Sequence, residues 1–260
     1  MSGTLAGEGL PPVCILVGGL GTRLGGRVRD LPKPLLEVAG EPFLIHQLRL
    51  LASHGVGEVV LCVGYRGEMI AERIGEECCG VHVTYSHDDP GLSGTLGAIR
   101  KALPLLGKRF LVLYGDTYLR IDYAAVARAW RRSELPALMT VLRNDGRWDA
   151  SNALYQAGRV TAYDKLAPTP AMRWIDYGLG GLSTPALDAV DQEESDLSVL
   201  YGLLARRGEL CGVLARKRFY EIGTPRALAE TDAFLRAGAG PRHDHRPGRR
   251  APQTKPVGSH

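Results

Sequence analysis

The sequence predicts an α/β protein built on one mostly parallel mixed sheet with an antiparallel extension. Three observations lead there. Through the first half, short runs of β-branched and aliphatic residues alternate with segments whose apolar residues recur at helical spacing. After Pro136 the runs are joined by short turns, the pattern of antiparallel strands. Residues 10–236 contain neither an internal repeat nor a linker, so they are expected to form a single domain, followed by a tail at 237–260.

The first strand is VCILV, Val13 to Val17, a continuous apolar run of the kind a strand covered on both faces requires. FLIHQLRLLASH, Phe43 to His54, puts apolar residues on one helix face, and Gly55 stops it. EVVLCVG then reads as strand, GEMIAERIGEE as helix, HVTYS as strand, GTLGAIRKAL as helix and RFLVLYGD as strand. Asp122 is placed to cap the helix that opens YAAVARAWRR, because its carboxylate can accept a free N–H of the first turn. Strands linked by such helices fit right-handed parallel crossovers. Beyond Pro136, ALMTVLR, SNALYQ and RVTAYDK follow as strands, with Ala157-Gly158 as a hairpin bend. YGLGGLS, a helix over Asp196 to Arg206, CGVLA, FYEI and a helix over Thr224 to Arg236 complete what reads as one continuous sheet.

Bulk properties exclude several functions. With 45% hydrophobic and 23% charged residues, the 260-residue chain has the make-up of a soluble globular protein. No apolar run reaches the ~18 residues of a membrane span, and MSGTLAGEGLPP lacks the basic start and apolar core of a secretory signal. The net charge of +4 sits in the tail. Of 32 basic and 28 acidic residues, 237–260 holds five and one, leaving 27 of each in the body. A neutral body is a poor footprint for nucleic acid, and the tail, poor in aliphatics, is expected to be disordered. Cys14, Cys62, Cys78, Cys79 and Cys211 are odd in number and form no C-x-x-C pair, so free thiols in a cytoplasmic protein are expected, without a zinc site.

The chemistry begins after the first strand. The dinucleotide pattern G-x-G-x-x-G fits Gly19 and Gly21 but fails at Leu24, and the only Gly-Lys pair, Gly107-Lys108, is followed by Arg109 rather than the Ser or Thr of a P-loop. What stands is G-G-x-G-T-R-L and, nine residues after Leu24, P-K-P. Gly18, Gly19 and Gly21 let backbone N–H groups lie against phosphate or base. Arg23 offers a planar fork suited to phosphate oxygens. Lys33, held between Pro32 and Pro34, is aimed by its neighbours. Asp116 ends the strand FLVLYGD and so stands at the carboxyl edge of the sheet, where open α/β sheets bind ligands.

These segments resemble the signature of sugar-1-phosphate nucleotidylyltransferases: LVGGLGTRL, PKPLLEVAGEP, VGYRGEMI, GTLGAI, FLVLYGDTY, a V-x-x-Y-D-K run and YEIGTP, in that order along almost the whole body. Within the group the chain most resembles enzymes that guanylylate mannose or heptose 1-phosphate. The resemblance implies a Rossmann-like three-layer α/β/α nucleotidyltransferase fold and Mg²⁺ as cofactor. Its substrates are a nucleoside triphosphate, GTP by resemblance, and a sugar 1-phosphate, with no nucleic-acid or membrane partner. It makes Arg23, Lys33, Asp116 and Lys165 catalytic. Gly18, Gly19, Gly21, Thr22, Gly94, Thr95, Asp176 and Gly178 become substrate-binding, and Asp116 with Glu221 the metal carboxylates. Glu221 departs from the aspartate usual before I-G-x-P, and Asp176 from the asparagine of an N-x-G segment. Asp164 and Asp176 remain alternative metal ligands. A catalytically weak, nucleotide-sugar-binding regulator and a nucleotidyltransferase of isoprenoid or molybdenum-cofactor type are the rival readings. A homodimer is the base-rate expectation for assembly. Gly25 to Asp30, with Arg27 and Arg29, reads as a flap over the site.

Overall fold

The computed structural model describes residues 9–19, 31–88, 94–148 and 150–238. Gly21, Thr22, Arg23, the 25–30 flap and the tail beyond Gly238 lie outside them. The strands are β1 (Val13–Leu16), β2 (Glu37–Val38), β3 (Glu41–Pro42), β4 (Glu58–Val63), β5 (Glu77–Cys78), β6 (Val81–His87), β7 (Arg109–Tyr114) and β8 (Thr117–Tyr118). They continue as β9 (Ala137–Arg143), β10 (Ala153–Gln156), β11 (Arg159–Tyr163), β12 (Trp174–Ser183), β13 (Leu210–Ala215) and β14 (Tyr220–Glu221). The helices are α1 (Phe43–Ser53), α2 (Gly67–Ile74), α3 (Gly94–Leu106), α4 (Tyr123–Ser133), α5 (Leu197–Arg206) and α6 (Pro225–Gly238).

Ten strands form one sheet in the order β10-β11-β13-β9-β12-β7-β1-β4-β6-β5. β7, β1, β4 and β6 run parallel, as the alternation of strands and helices requires. β12 then enters antiparallel between β7 and β9, and β11 and β10 continue antiparallel beyond the parallel pair β9–β13. The sheet is therefore evenly mixed rather than mostly parallel, because β12 is a long strand whose ladder to β7 reverses the direction. FYEI does not extend this sheet either: β14 pairs with β8 in a separate two-stranded ribbon. The predicted helix ends hold to within a few residues, and Asp122 caps α4 by accepting from the Ala125 N–H at 2.8 Å.

Alternate residues of β1 feed two cores. Val13, Ile15 and Val17 join Leu44, Leu48 and Leu51 of α1, Ile70 of α2 and Val126 and Trp130 of α4. Cys14 joins Leu96 and Ile99 of α3 and Leu200 and Leu204 of α5. With side chains buried on both faces, β1 is fixed in register, and its carboxyl end is delivered to the edge of the sheet. Among the described residues no helix is long and apolar enough to cross a membrane.

Candidate active site

The residues that end β1 and β7 lie side by side, Leu16 opposite Tyr114. The ladder continues one step beyond the strands, with the Gly115 N–H donating to Leu16 O at 2.9 Å. A side chain on Gly115 would put its Cβ 2.5 Å from Val17 Cγ1 and 2.9 Å from Leu16 O. Glycine is required there by close approach, and that approach sets Asp116 beside the loop after β1.

Lys33 opens a single 3-10 turn, Lys33–Leu35, framed by its prolines. Its Nζ donates to Asp116 Oδ2 at 2.6 Å, with side-chain exposures of 14% and 34%. Glu221 reaches the same place through the β8–β14 ribbon. Glu221 pairs with Thr117, and the Ile222 N–H donates to Asp116 O at 3.0 Å. Buried Thr231 of α6 holds Glu221 from behind, its hydroxyl donating to the backbone oxygen at 2.6 Å. A Cβ on Gly223 would fall 2.7 Å from Glu221 Oε2 and 3.5 Å from Lys33 Nζ, so the longer glutamate folds back toward the lysine. One cation and two carboxylates thus converge, Lys33 from its 3-10 turn, Asp116 from the turn after β7 and Glu221 from the ribbon.

Beside them opens a cavity of ≈ 290 Å³ that Gly18, Gly19, Lys33, Asp88, Thr95 and Asp116 help to line. Gly94 and Thr95 open α3, as the GTLGAIRKAL run predicts. Gly94 has φ +64, and any Cβ would strike Ser195 O at 2.4 Å. The Thr95 hydroxyl accepts from the Leu197 N–H at 2.9 Å, so this pair ties the start of α3 to the start of α5 while walling the cavity.

Asp176 and Gly178 sit where the β12–β9 register shifts, and a Cβ on Gly178, at φ +102, would stand 3.5 Å from Thr117 Oγ1. Asp176 is half-buried. Burial pushes its carboxyl above the usual range, while the Gly178 N–H, the Lys165 charge and Tyr163 pull the other way. The Gly178 N–H donates to Asp176 Oδ1 at 2.9 Å, and the Asp176 N–H donates to Asn152 Oδ1 at 3.0 Å. Lys165 is exposed in the turn after β11, near enough to act on Asp176 electrostatically. Asp164 is committed to that turn, accepting from the Leu166 and Ala167 N–H groups.

Two contributors escaped the sequence reading. Gln47 is buried in α1, and its amide donates to Tyr114 O at 2.9 Å and Thr117 O at 2.6 Å, clamping the turn that carries Asp116. Its signal was a glutamine on the apolar face shared by Leu44, Leu48 and Leu51. Asp88, just past β6, lines the far side of the cavity, and nothing in its local pattern marked it.

Residues 13–222 match the MobA-like NTP transferase domain. A D-glycero-alpha-D-manno-heptose 1-phosphate guanylyltransferase of Campylobacter jejuni is 41% identical over 108 residues, which cover 42% of this chain and 48% of the relative. A mannose-1-phosphate guanyltransferase beta-B of Xenopus laevis is 26% identical over 219 residues, 82% of this chain and 61% of the relative. The chain thus spans about half to three-fifths of the length of these curated relatives. Among solved structures, HddC from Yersinia pseudotuberculosis complexed with GMP-PN superposes with a TM-score of 0.73 at 23% identity, over 87% of this chain and all of that one. That likeness shows an α/β nucleotidyltransferase fold. With the domain match running from the first strand of the sheet to the ribbon that carries Glu221, the chain belongs to the MobA-like NTP transferase domain family.

Proposed function

We propose that this chain is a Mg²⁺-dependent sugar-1-phosphate guanylyltransferase. It would join a heptose- or mannose-type sugar 1-phosphate to GTP, giving a nucleotide sugar and pyrophosphate. The observation that carries the reading is the Lys33–Asp116 ion pair on the wall of one cavity, beside the glycine loop after β1 and with Glu221 near the lysine. The guanylyltransferases among its relatives and the GMP-PN complex of its structural neighbour support the choice of nucleotide. Helices packed on each of two cores support the three-layer α/β/α reading of the fold.

A phosphate monoester is already anionic, so its oxygen can attack the α-phosphorus without a general base while the bond to the pyrophosphate oxygen breaks. The difficulty is to bring two anions together and steady the charge as it shifts. Lys33, held in place by Asp116, would meet the triphosphate and the departing pyrophosphate. Arg23, in the glycine loop, would share that task. Lys165 would place the attacking phosphate, with Asp176 and the Gly178 bulge against the sugar. Asp116 and Glu221 fit a hard cation, because carboxylate oxygens leave the rest of its shell to phosphate and water. Among the described residues no three His, Cys, Asp or Glu side chains gather, so most of that shell would come from substrate. When bound, the ion would neutralise charge at the α-phosphate.

A pyrophosphate-release screen tests the proposal. It crosses GTP, ATP, CTP and UTP with mannose, glucose and heptose 1-phosphates, with Mg²⁺ and with chelator. Release from GTP with one of the manno-configured sugars, abolished by chelator, is the expected result.

A further inference from the structure

We infer that Cys78 and Cys79 form a reversible modification site, a vicinal thiol pair that closes into a disulfide ring on exchange with a low-molecular-weight disulfide. The site is separate from the nucleotide cavity and does not depend on the activity proposed for it.

The pair stands at the tip of a tight hairpin on the edge of the sheet. β5 is the last strand of the ten, and it pairs with β6 through Glu77 opposite His82 and Cys78 opposite Val81. Only Cys79 and Gly80 remain for the turn, at φ +56 and +83. Two positive φ values in a two-residue loop are those of a type I′ turn, where asparagine or aspartate usually precedes the glycine. A cysteine goes against that local preference, because its Cβ is crowded in the left-handed region. A thiol therefore stands where folding alone would favour another side chain.

The turn also brings the two thiols together. Along a regular strand, neighbouring side chains point to opposite faces. Here the left-handed residue swings its side chain round, and the Sγ atoms lie 3.7 Å apart. Cys79 is exposed and Cys78 half-buried, whereas Cys14, Cys62 and Cys211 are buried in the core. Of the five thiols, then, a dissolved reagent meets one adjacent pair. Burial and the neighbouring Cys79 push the Cys78 thiol up to about 11, and Arg49 and Arg73 pull it back.

These positions set the order of events. The exposed Cys79 thiolate attacks a small disulfide, forming a mixed disulfide and expelling one small thiol. The Cys78 thiolate then attacks the Cys79 sulfur, and the ring S–S bond forms as the bond to the second small thiol breaks. Two protein thiols and one small disulfide become one ring and two small thiols, so hydrogens and electrons balance. Bridged neighbours keep their Cα atoms ~3.8 Å apart, short of the ~4.4 Å at the low end for ordinary disulfides, and such strain makes the bond easy to reduce. Closure seals the exposed thiols against further oxidation and leaves them open to rescue by free thiol.

The test incubates the full chain with oxidised glutathione, alkylates it under native conditions and follows it by intact and peptide mass spectrometry. The wild type is expected to lose the mass of two hydrogens in the peptide holding Cys78 and Cys79, to keep no glutathione there, and to recover with dithiothreitol. Cys78→Ser removes the second thiol and should hold glutathione on Cys79 about 10²-fold longer or more, because the neighbouring attack is intramolecular. Cys79→Asn restores the usual turn pair and should match or exceed the wild-type Tm while losing the ring. A wild type that keeps glutathione as long as Cys78→Ser does overturns the inference, and so does one whose two thiols both stay free. A Cys79→Asn protein with a clearly lower Tm would show that the cysteine serves the turn rather than thiol chemistry, which also overturns it.

Discussion

Lys33 and Asp116 form an ion pair of 2.6 Å across 83 residues of sequence, at the point where the loop after β1 meets the turn after β7. The two prolines fix the lysine and the Gly115 approach fixes the aspartate, so the charges are positioned before any substrate arrives. Preorganised charge of this kind stabilises a transition state most, because nothing has to reorient as the reaction proceeds.

Removing either charge should therefore act on turnover. Lys33→Ala and Asp116→Ala are each expected to lower kcat for pyrophosphate release by ~10²-fold or more, on the scale of losing one such contact. Unchanged circular dichroism would show that the fold survives, and near-normal turnover in either variant would sink these two roles.

Gln47 predicts an effect from a residue that touches no substrate. Replacing it with Leu keeps the bulk but strips both hydrogen bonds from the Tyr114 and Thr117 carbonyls. The expected cost in urea denaturation is about 1–3 kcal/mol, the range for leaving a buried polar partner unsatisfied. Activity should fall too, since the Asp116 turn loses its clamp; a variant as stable and as active as the wild type would contradict the brace.

Gly115→Ala tests the close approach of β1 and β7. With Val17 Cγ1 at 2.5 Å from the new Cβ, backbone must shift, at a cost of about 1–3 kcal/mol for overpacking a tight site. Differential scanning calorimetry should show a lower Tm, and kcat should drop because Asp116 moves. An alanine accommodated without loss of either would mean that the approach is not what positions the site.

Asp176 carries a pH signature. Its folded carboxyl titrates above the ordinary aspartate value, chiefly through burial, so the folded state holds the proton more tightly than the unfolded chain does. Between the ordinary value of 3.8 and the raised one, stability should fall as pH rises, and the cost of the buried charge persists at neutral pH. Asp176→Asn is expected to raise Tm at pH 7 and flatten that dependence, while weakening sugar 1-phosphate use. A variant with lower Tm at pH 7 would reverse the sign.

Most of the framework was legible in the sequence because it rests on local signals: the apolar run of β1, the Asp122 cap, the Ala157-Gly158 bend and the loop glycines. What escaped depends on pairing across distance. Periodicity marks β12 as a strand but not its direction, so the sheet reads as more parallel than it is. FYEI has strand chemistry, yet only the position of Thr117–Tyr118 decides that it forms a separate ribbon. Lys33, Asp116 and Glu221 were recognisable by residue type and resemblance, but the ribbon and the close strand approach that bring them together were not. Gln47 leaves only the mark of a polar residue on an apolar helix face, and Asp88 has no local pattern; a helix face and a strand edge bring them in. Arg23, Gly21 and Thr22 lie outside the described residues.

The most direct test of the central claim is a coupled measurement on the full chain with Mg²⁺, GTP and a manno-configured sugar 1-phosphate. Pyrophosphate and nucleotide sugar should appear in equal amounts, and the rate of both should fall by ~10²-fold or more in Lys33→Ala. A protein that binds the nucleotide sugar tightly yet releases no pyrophosphate from any nucleotide and sugar pair would contradict the account.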